Sequence, residues 1–244
     1  MDKWITKLSV GAVLALAAAA CTNFNGPTGP LRTESQTVKL GDAKSVDVKL
    51  NMGAGELKID GSAPNLLDAE FSYNVDRAKP HVDYTVSGSQ GTLTIEQPSG
   101  SGSGGHNVHY SWDLHFSDKV PMSISVEQGA GRTELNLASL SLNSLDVQVG
   151  AGESLVDLTG DYKNDVVARI HGGVGKATIK LPRDVGVHVI ARGGIGAINA
   201  HDLMKQGDAY VNDRYGKSPV TVRVEVEGGV GEINLELGGP PSGV

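Results

Sequence analysis

A Gly-x-Gly triplet recurs six times in this chain, always between flanks of the same pattern. The triplets are Gly53-Ala54-Gly55, Gly129-Ala130-Gly131, Gly150-Ala151-Gly152, Gly173-Val174-Gly175, Gly194-Ile195-Gly196 and Gly229-Val230-Gly231. From the second to the fifth, the first glycines are 21, 23 and 21 residues apart, and a longer interval of 35 precedes the sixth. A near-constant period of this length marks a repeat architecture. Three and five residues before the first glycine stand aliphatic pairs such as Leu50 and Val48, Val126 and Ile124, or Val147 and Leu145. Two and four residues after the second glycine stand Leu57 and Ile59, Thr133 and Leu135, or Ser154 and Val156. The residues between them are mostly polar, so each flank alternates with period two, as a half-buried strand does.

The inward sets on the two sides of a triplet are an odd number of residues apart. A straight strand would place them on opposite faces. For both to face one core, the chain must turn or bulge at Gly-x-Gly, where glycine accepts φ > 0 and carries no β-carbon to meet the corner stacked above it. With 33 Gly but 3 Phe and 2 Trp, the interior is thin and aliphatic. The expected fold is all-β: a β-solenoid with two short strands per Gly-x-Gly unit and an irregular N-terminal β cap. In that cap, Asp68–Val75, Val82–Val86 and Thr92–Glu96 read as strands, and Trp112, Leu114 and Phe116 as the inward side of another. Leu203–Pro219 reads as an excursion or partial cap near the other end.

The first residues carry a different signal. Lys3 and Lys7 precede an uncharged run, Leu8–Ala20, and Ala18-Ala19-Ala20 lead directly into Cys21, the sole cysteine. This is the layout of a signal peptide with a small-residue cleavage site. Its 13-residue apolar run is shorter than the roughly 20 residues of a membrane-spanning helix. Small residues before the cysteine resemble the bacterial lipobox, with Ala18 where that motif usually has Leu; the resemblance implies lipidation at Cys21. The expected organisation is a lipoprotein signal peptide (1–20), a flexible tether (21–37), an N-terminal β module (38–98), a Gly/Ser loop (99–105), the solenoid repeats (106–237) and a disordered tail (238–244).

On these residues the chain resembles the bacterial toast-rack family of envelope domains. Leu50–Val75 is similar to its N-terminal module, Gly129–Leu158 to its repeat region and Tyr210–Leu237 to its closing segment. The family is related to candidate adhesins with β-solenoid repeats and to Lia-type cell-wall stress regulators. The resemblance implies an envelope location and no recognised catalytic residues.

Other chemistries fit less well. Gly172-Gly173-Val174-Gly175-Lys176 lacks the leading Gly and the trailing Ser/Thr of a phosphate loop, because Ile170 and Ala177 stand there. No corner extends to Gly-x-Gly-x-x-Gly; Thr178, Asn199 and Asn234 occupy the last position in three of them. Ala177, Ile198 and Ile233 replace the Asp of a calcium-binding β-roll. His106, His109, His115 and Asp113 lie close together but meet no firm ligand spacing. Glu134, Asp157 and Lys180 take outward slots on successive units, and Glu56, Glu153 and Glu232 follow corners; they read as a solvated face. The net charge of −7, without a Lys/Arg cluster, argues against a nucleic-acid partner.

The expected function is therefore that of a membrane-anchored extracytoplasmic lipoprotein, a non-enzymatic structural or adhesion module of the bacterial envelope. It needs no cofactor and no metal. Its partners would be membrane lipid through acylated Cys21 and an envelope protein or glycan, met on the flat faces or the N-terminal cap. An envelope-stress sensing or regulatory subunit and a carbohydrate-active β-helix enzyme are the alternatives. Cell membrane or outer membrane, and oligomeric state, stay open.

Overall fold

Alternating aliphatic residues on both sides of each corner build six long strands, and these stack in parallel. The computed structural model describes residues 28–75, 78–98 and 107–238. Within them run thirteen strands: β1 (Arg32–Val38), β2 (Ser45–Asp60), β3 (Leu67–Tyr73), β4 (His81–Ser87), β5 (Gln90–Glu96), β6 (Tyr110–Phe116), β7 (Met122–Asn136), β8 (Leu142–Asp157), β9 (Val166–Leu181), β10 (Gly186–His201), β11 (Met204–Gln206), β12 (Ala209–Val211) and β13 (Thr221–Leu237). The described residues include no α-helix, so the fold is all-β.

The corner-bearing strands lie in the order β2-β7-β8-β9-β13-β10. Each pairs in parallel with the next, in a register that superposes all six corners. Sequence pattern suggested two short strands per unit. Each unit is instead one bent strand of 15 to 17 residues, because the parallel ladder continues through the superposed corners. The second glycine of every corner has φ between +131° and +147°, a region other residues rarely enter. That glycine shifts the side-chain phase and lets both halves face one interior.

The interior is a set of columns. Leu50, Val126, Val147, Ile170 and Val226 form one and are all buried, and Ala191 ends it half-buried. Ile59, Leu135, Val156, Ile179 and Leu235 form another. Val147 is 0% and Val156 1% exposed, so the halves of β8 share the core across their corner. One inward pair is polar: Gln128 accepts a short hydrogen bond from Thr133, and its amide donates to the Gly55 carbonyl at 2.8 Å. A buried polar pair tolerates its place only when satisfied in this way.

The ends of the stack differ. On the outer edge of β2, β5 pairs with the first half and β6 with the second, both in parallel. Antiparallel β4 lies beyond β5, and antiparallel β3 and then β1 beyond β6. Trp112, Leu114 and Phe116 of β6 are fully buried. Even the corner of β2 is covered: the Gln97 carboxamide oxygen accepts the Gly53 N–H at 2.6 Å and the Ala54 N–H at 3.2 Å. At the other end, β12 pairs with β10 over His188–Ile190 only, and β11 pairs with β12.

Two sequence boundaries move. Residues 32–37, read as tether, belong to β1, where Thr33 meets Ser72 and the Thr37 hydroxyl donates to Asp68 at 2.8 Å. The first corner belongs to the stack itself, since β2 is its first long strand; repeats and N-terminal module share one sheet.

Candidate binding surface at the open end of the stack

The residue just before each first glycine points into the corner. In stacking order these are Met52, Gln128 and Val149, then Gly172, Gly228 and Gly193. The first three are buried side chains that fill the corner. In the last three units there is no side chain to do so, and a crevice runs beneath the corners of β9, β13 and β10. Gly172, Ala177, Val174, Val230, Ile195 and Ala197 line it, and its free volume is about 40 Å³. That holds about three water-sized groups and is far below the several hundred Å³ of a small-molecule site. That is room for a single aliphatic side chain.

The middle residues of the corners form a row on the outside. Ala54, Ala130 and Ala151 give way to Val174, Val230 and Ile195, which are 58%, 47% and 75% exposed. Met204 on β11 and Tyr215 are exposed at the same end, so five of the seven exposed large hydrophobic residues among those described gather there. Val174, Val230 and Ile195 are in-register neighbours, and an exposed apolar row of this kind marks a contact surface more often than scattered residues do.

The backbone at this end is open too. From Ala191 to His201 the outer edge of β10 has no strand partner among the described residues. Natural edges are commonly blunted by Lys, Pro or inward charges. Here the one permanently charged residue is Arg192, and its guanidinium turns back onto the stack, donating to Glu225 at 2.7 Å and Glu227 at 3.0 Å. The edge is left as an acceptor for another strand.

The charged residues elsewhere form ladders. Glu56, Arg132, Glu153, Lys176 and Glu232 follow their corners in one column of alternating sign, which ends at Ala197. Asp157 pairs in register with Lys180, while Glu134 lies opposite Leu155. These carboxylates are interleaved with cations and do not converge in a groove, as glycoside chemistry requires.

Of the histidines weighed for metal, His106 lies outside the described residues. The His109 backbone N–H donates to Asn74 at 2.8 Å. His115 lies 3.1 Å from Asp113, and with Asp60 the three form a group whose polar atoms are close enough to share an ion. The cation already there is Lys58, 2.8 Å from Asp60, whose other oxygen accepts the Asn136 amide at 2.8 Å. Burial raises the Asp60 pKa, but Lys58 and Asn136 outweigh it and hold the carboxyl below its ordinary value. The group is an ion-pair network on the face of the stack. Cys21 and the Ser99–Gly105 loop lie outside the described residues.

The twelve corner glycines, Gly53, Gly55, Gly129, Gly131, Gly150, Gly152, Gly173, Gly175, Gly194, Gly196, Gly229 and Gly231, hold the corners. The crevice beneath the last three corners was not anticipated, although the sequence carries its sign. In those units the first glycine is doubled, as Gly172-Gly173, Gly193-Gly194 and Gly228-Gly229.

A family model, the N-terminal domain of toast_rack (DUF2154), matches residues 27–180. Among solved structures, a "putative cell adhesion protein" from Clostridium sporogenes ATCC 15579 is 35% identical, with a TM-score of 0.83, over 86% of this chain and 100% of that one. A "putative adhesin" from Bacteroides fragilis NCTC 9343 is 12% identical, with a TM-score of 0.28, over 86% of this chain and 98% of that one. No curated protein matches.

Proposed function

The chain belongs to the toast-rack family, and from that premise we propose that it is a membrane-anchored extracytoplasmic lipoprotein, a non-enzymatic adhesion or interaction module of the bacterial cell envelope. The stack is a β-solenoid in this reading, with the β1 and β3–β6 strands as its cap. The apolar, unpaired β10 end carries the proposal: it offers a partner a strand edge, a row of aliphatic side chains and a crevice for one more. The similar structure from Clostridium sporogenes, named for cell adhesion, supports it.

Strand order supports a display geometry. Nine strands lead from β1 to β10, and at about 4.8 Å per step they separate the two ends by about 38 Å. The chain enters at β1, so an anchor at Cys21 holds that end toward the membrane and β10 away from it. The sequence had suggested the flat faces or the cap as contact surfaces; the exposed apolar residues favour the opposite end. The tether in this reading stops before Arg32.

Two measurements on the full chain in a bacterial host test the proposal. Metabolic labelling with an alkyne fatty acid should mark the wild type and not Cys21→Ser. Attachment of cells displaying Ile195→Glu should fall at least about tenfold, the effect of roughly 1.4 kcal/mol, with the melting temperature unchanged. Unlabelled wild type would overturn the anchor, and undiminished attachment would overturn the β10 surface.

A further inference from the structure

β13 lies out of sequence order. The chain reaches β10 first, yet β10 takes the outermost place among the corner-bearing strands, and β13, which follows it in sequence, runs between β9 and β10. It pairs with both in parallel and in equivalent registers, so Val230 faces Val174 on one side and Ile195 on the other. In the same way, Thr178 and Asn199 both face Asn234.

β9 and β10 are therefore matched to each other as well as to β13. Their corners are 21 residues apart, as are those of β7 and β8, which are direct neighbours. Gly196 lies against the carbonyl of Gly231, and Gly231 against that of Gly175, at contacts only glycine allows. Any glycine corner satisfies that requirement, so the slot accepts a β13 from any copy. Only residues 182–185 connect β9 to β10 across the slot, whereas residues 137–141 connect the adjacent β7 and β8.

Exchange of β13 would turn on the segment that enters it. Residues 212–220 join β12 to β13 and are fixed at each end. The Asn212 carboxamide oxygen accepts the Val187 N–H at 2.9 Å. Asp165 accepts the Thr221 N–H at 2.9 Å and the Arg223 guanidinium at 2.6 Å. Every β13 contact would be recreated if the strand came from another molecule, so exchange alters little besides the hinge.

We propose that β13 is an exchangeable strand, and that two copies of this chain associate by each inserting β13 between β9 and β10 of the other. This association is independent of whatever docks on the outer edge of β10. Its barrier is the opening of two ladders, so it forms as chains fold together at high concentration.

The test uses the full chain with Cys21→Ser, which removes its one native thiol, and adds Asn199→Cys and Asn234→Cys. These side chains are hydrogen-bonded neighbours at 2.8 Å, and facing strand residues come within the roughly 7 Å Cα limit of a disulfide. The protein is unfolded, refolded at dilute and at high concentration, then oxidised and run without reductant. Exchange predicts a shift from an intrachain to an interchain disulfide, seen as a covalent dimer whose fraction rises with concentration. An intrachain bond at every concentration overturns the proposal, as does a non-covalent dimer whose disulfides are all intrachain. If the double-cysteine protein fails to fold, the same refolding with only Cys21→Ser is read by light scattering. A dimer that persists on dilution supports exchange, and a monomer throughout overturns it.

Discussion

A β-carbon placed on Gly152 would overlap the carbonyl oxygen of Gly131 one strand below it. The residue also sits at φ +138°, so Gly152→Ala meets both a backbone collision and a forbidden dihedral. It should cost at least about 3 kcal/mol, in the range of severe core changes. Gly41→Ala is the control, because Gly41 has φ +63° but open space around it; it should cost about 1 kcal/mol. Urea unfolding midpoints measure both.

Gly172→Val should leave stability unchanged or raise it by up to about 1 kcal/mol, since glycine inside a strand is a weak choice. A β-carbon there meets nothing nearer than the Glu227 carbonyl at 3.9 Å, and the neighbouring unit already has Val149. The new side chain would fill the crevice. Attachment through the β10 end should drop while the melting temperature holds, a separation that cell-adhesion counts and thermal melts can record together.

Asn212 is 2% exposed and ties the β12 segment to the β9–β10 connection. Besides accepting from Val187, it donates to the Val185 carbonyl at 2.8 Å. Asn212→Ala leaves a buried N–H and carbonyl unpaired, and each such group costs about 1–3 kcal/mol. Hydrogen exchange should show the Val187 amide losing protection, with a total destabilisation of about 3 kcal/mol.

The Asp165 carboxyl is held below its ordinary value by the Arg223 guanidinium, with the Thr221 N–H adding to it. A carboxyl depressed on folding contributes stability above its unfolded pKa, near 3.9, and that contribution is lost as pH falls through the folded value. The pair is largely exposed, so its effect is small and screened by salt. Asp165→Asn should therefore be slightly less stable than wild type at pH 7, and the gap should close by pH 2 to 3. A gap that stays constant across this window would show that the charge is not the source.

Much of this architecture is written in the sequence. The alternation around Val147 and Val156 fixes two inward sets, and their odd spacing requires the bend that Gly152 makes. Neighbour order is less visible. Gly229-Val230-Gly231 presents the same corner as every other unit, so nothing local says that it lies between β9 and β10 and not beyond β10. β1 was missed because Thr33, Ser35 and Thr37 alternate with polar residues, and an edge strand with little burial carries no apolar period. The crevice was hidden for another reason. It is made by side chains that are absent, and a doubled glycine reads locally as flexibility until its neighbours Val149 and Gln128 show what it leaves out.

The insertion of β13 also sets a timetable. A chain made from its N-terminus can assemble β2, β7, β8 and β9 as each emerges, but the interior place beside β9 belongs to β13, which follows β10. Until residue 237 is free, β10 has no settled inner neighbour, and the final third stays open to rearrangement. The outer end of the stack is therefore completed only once β13 has found its slot, however early β10 was made.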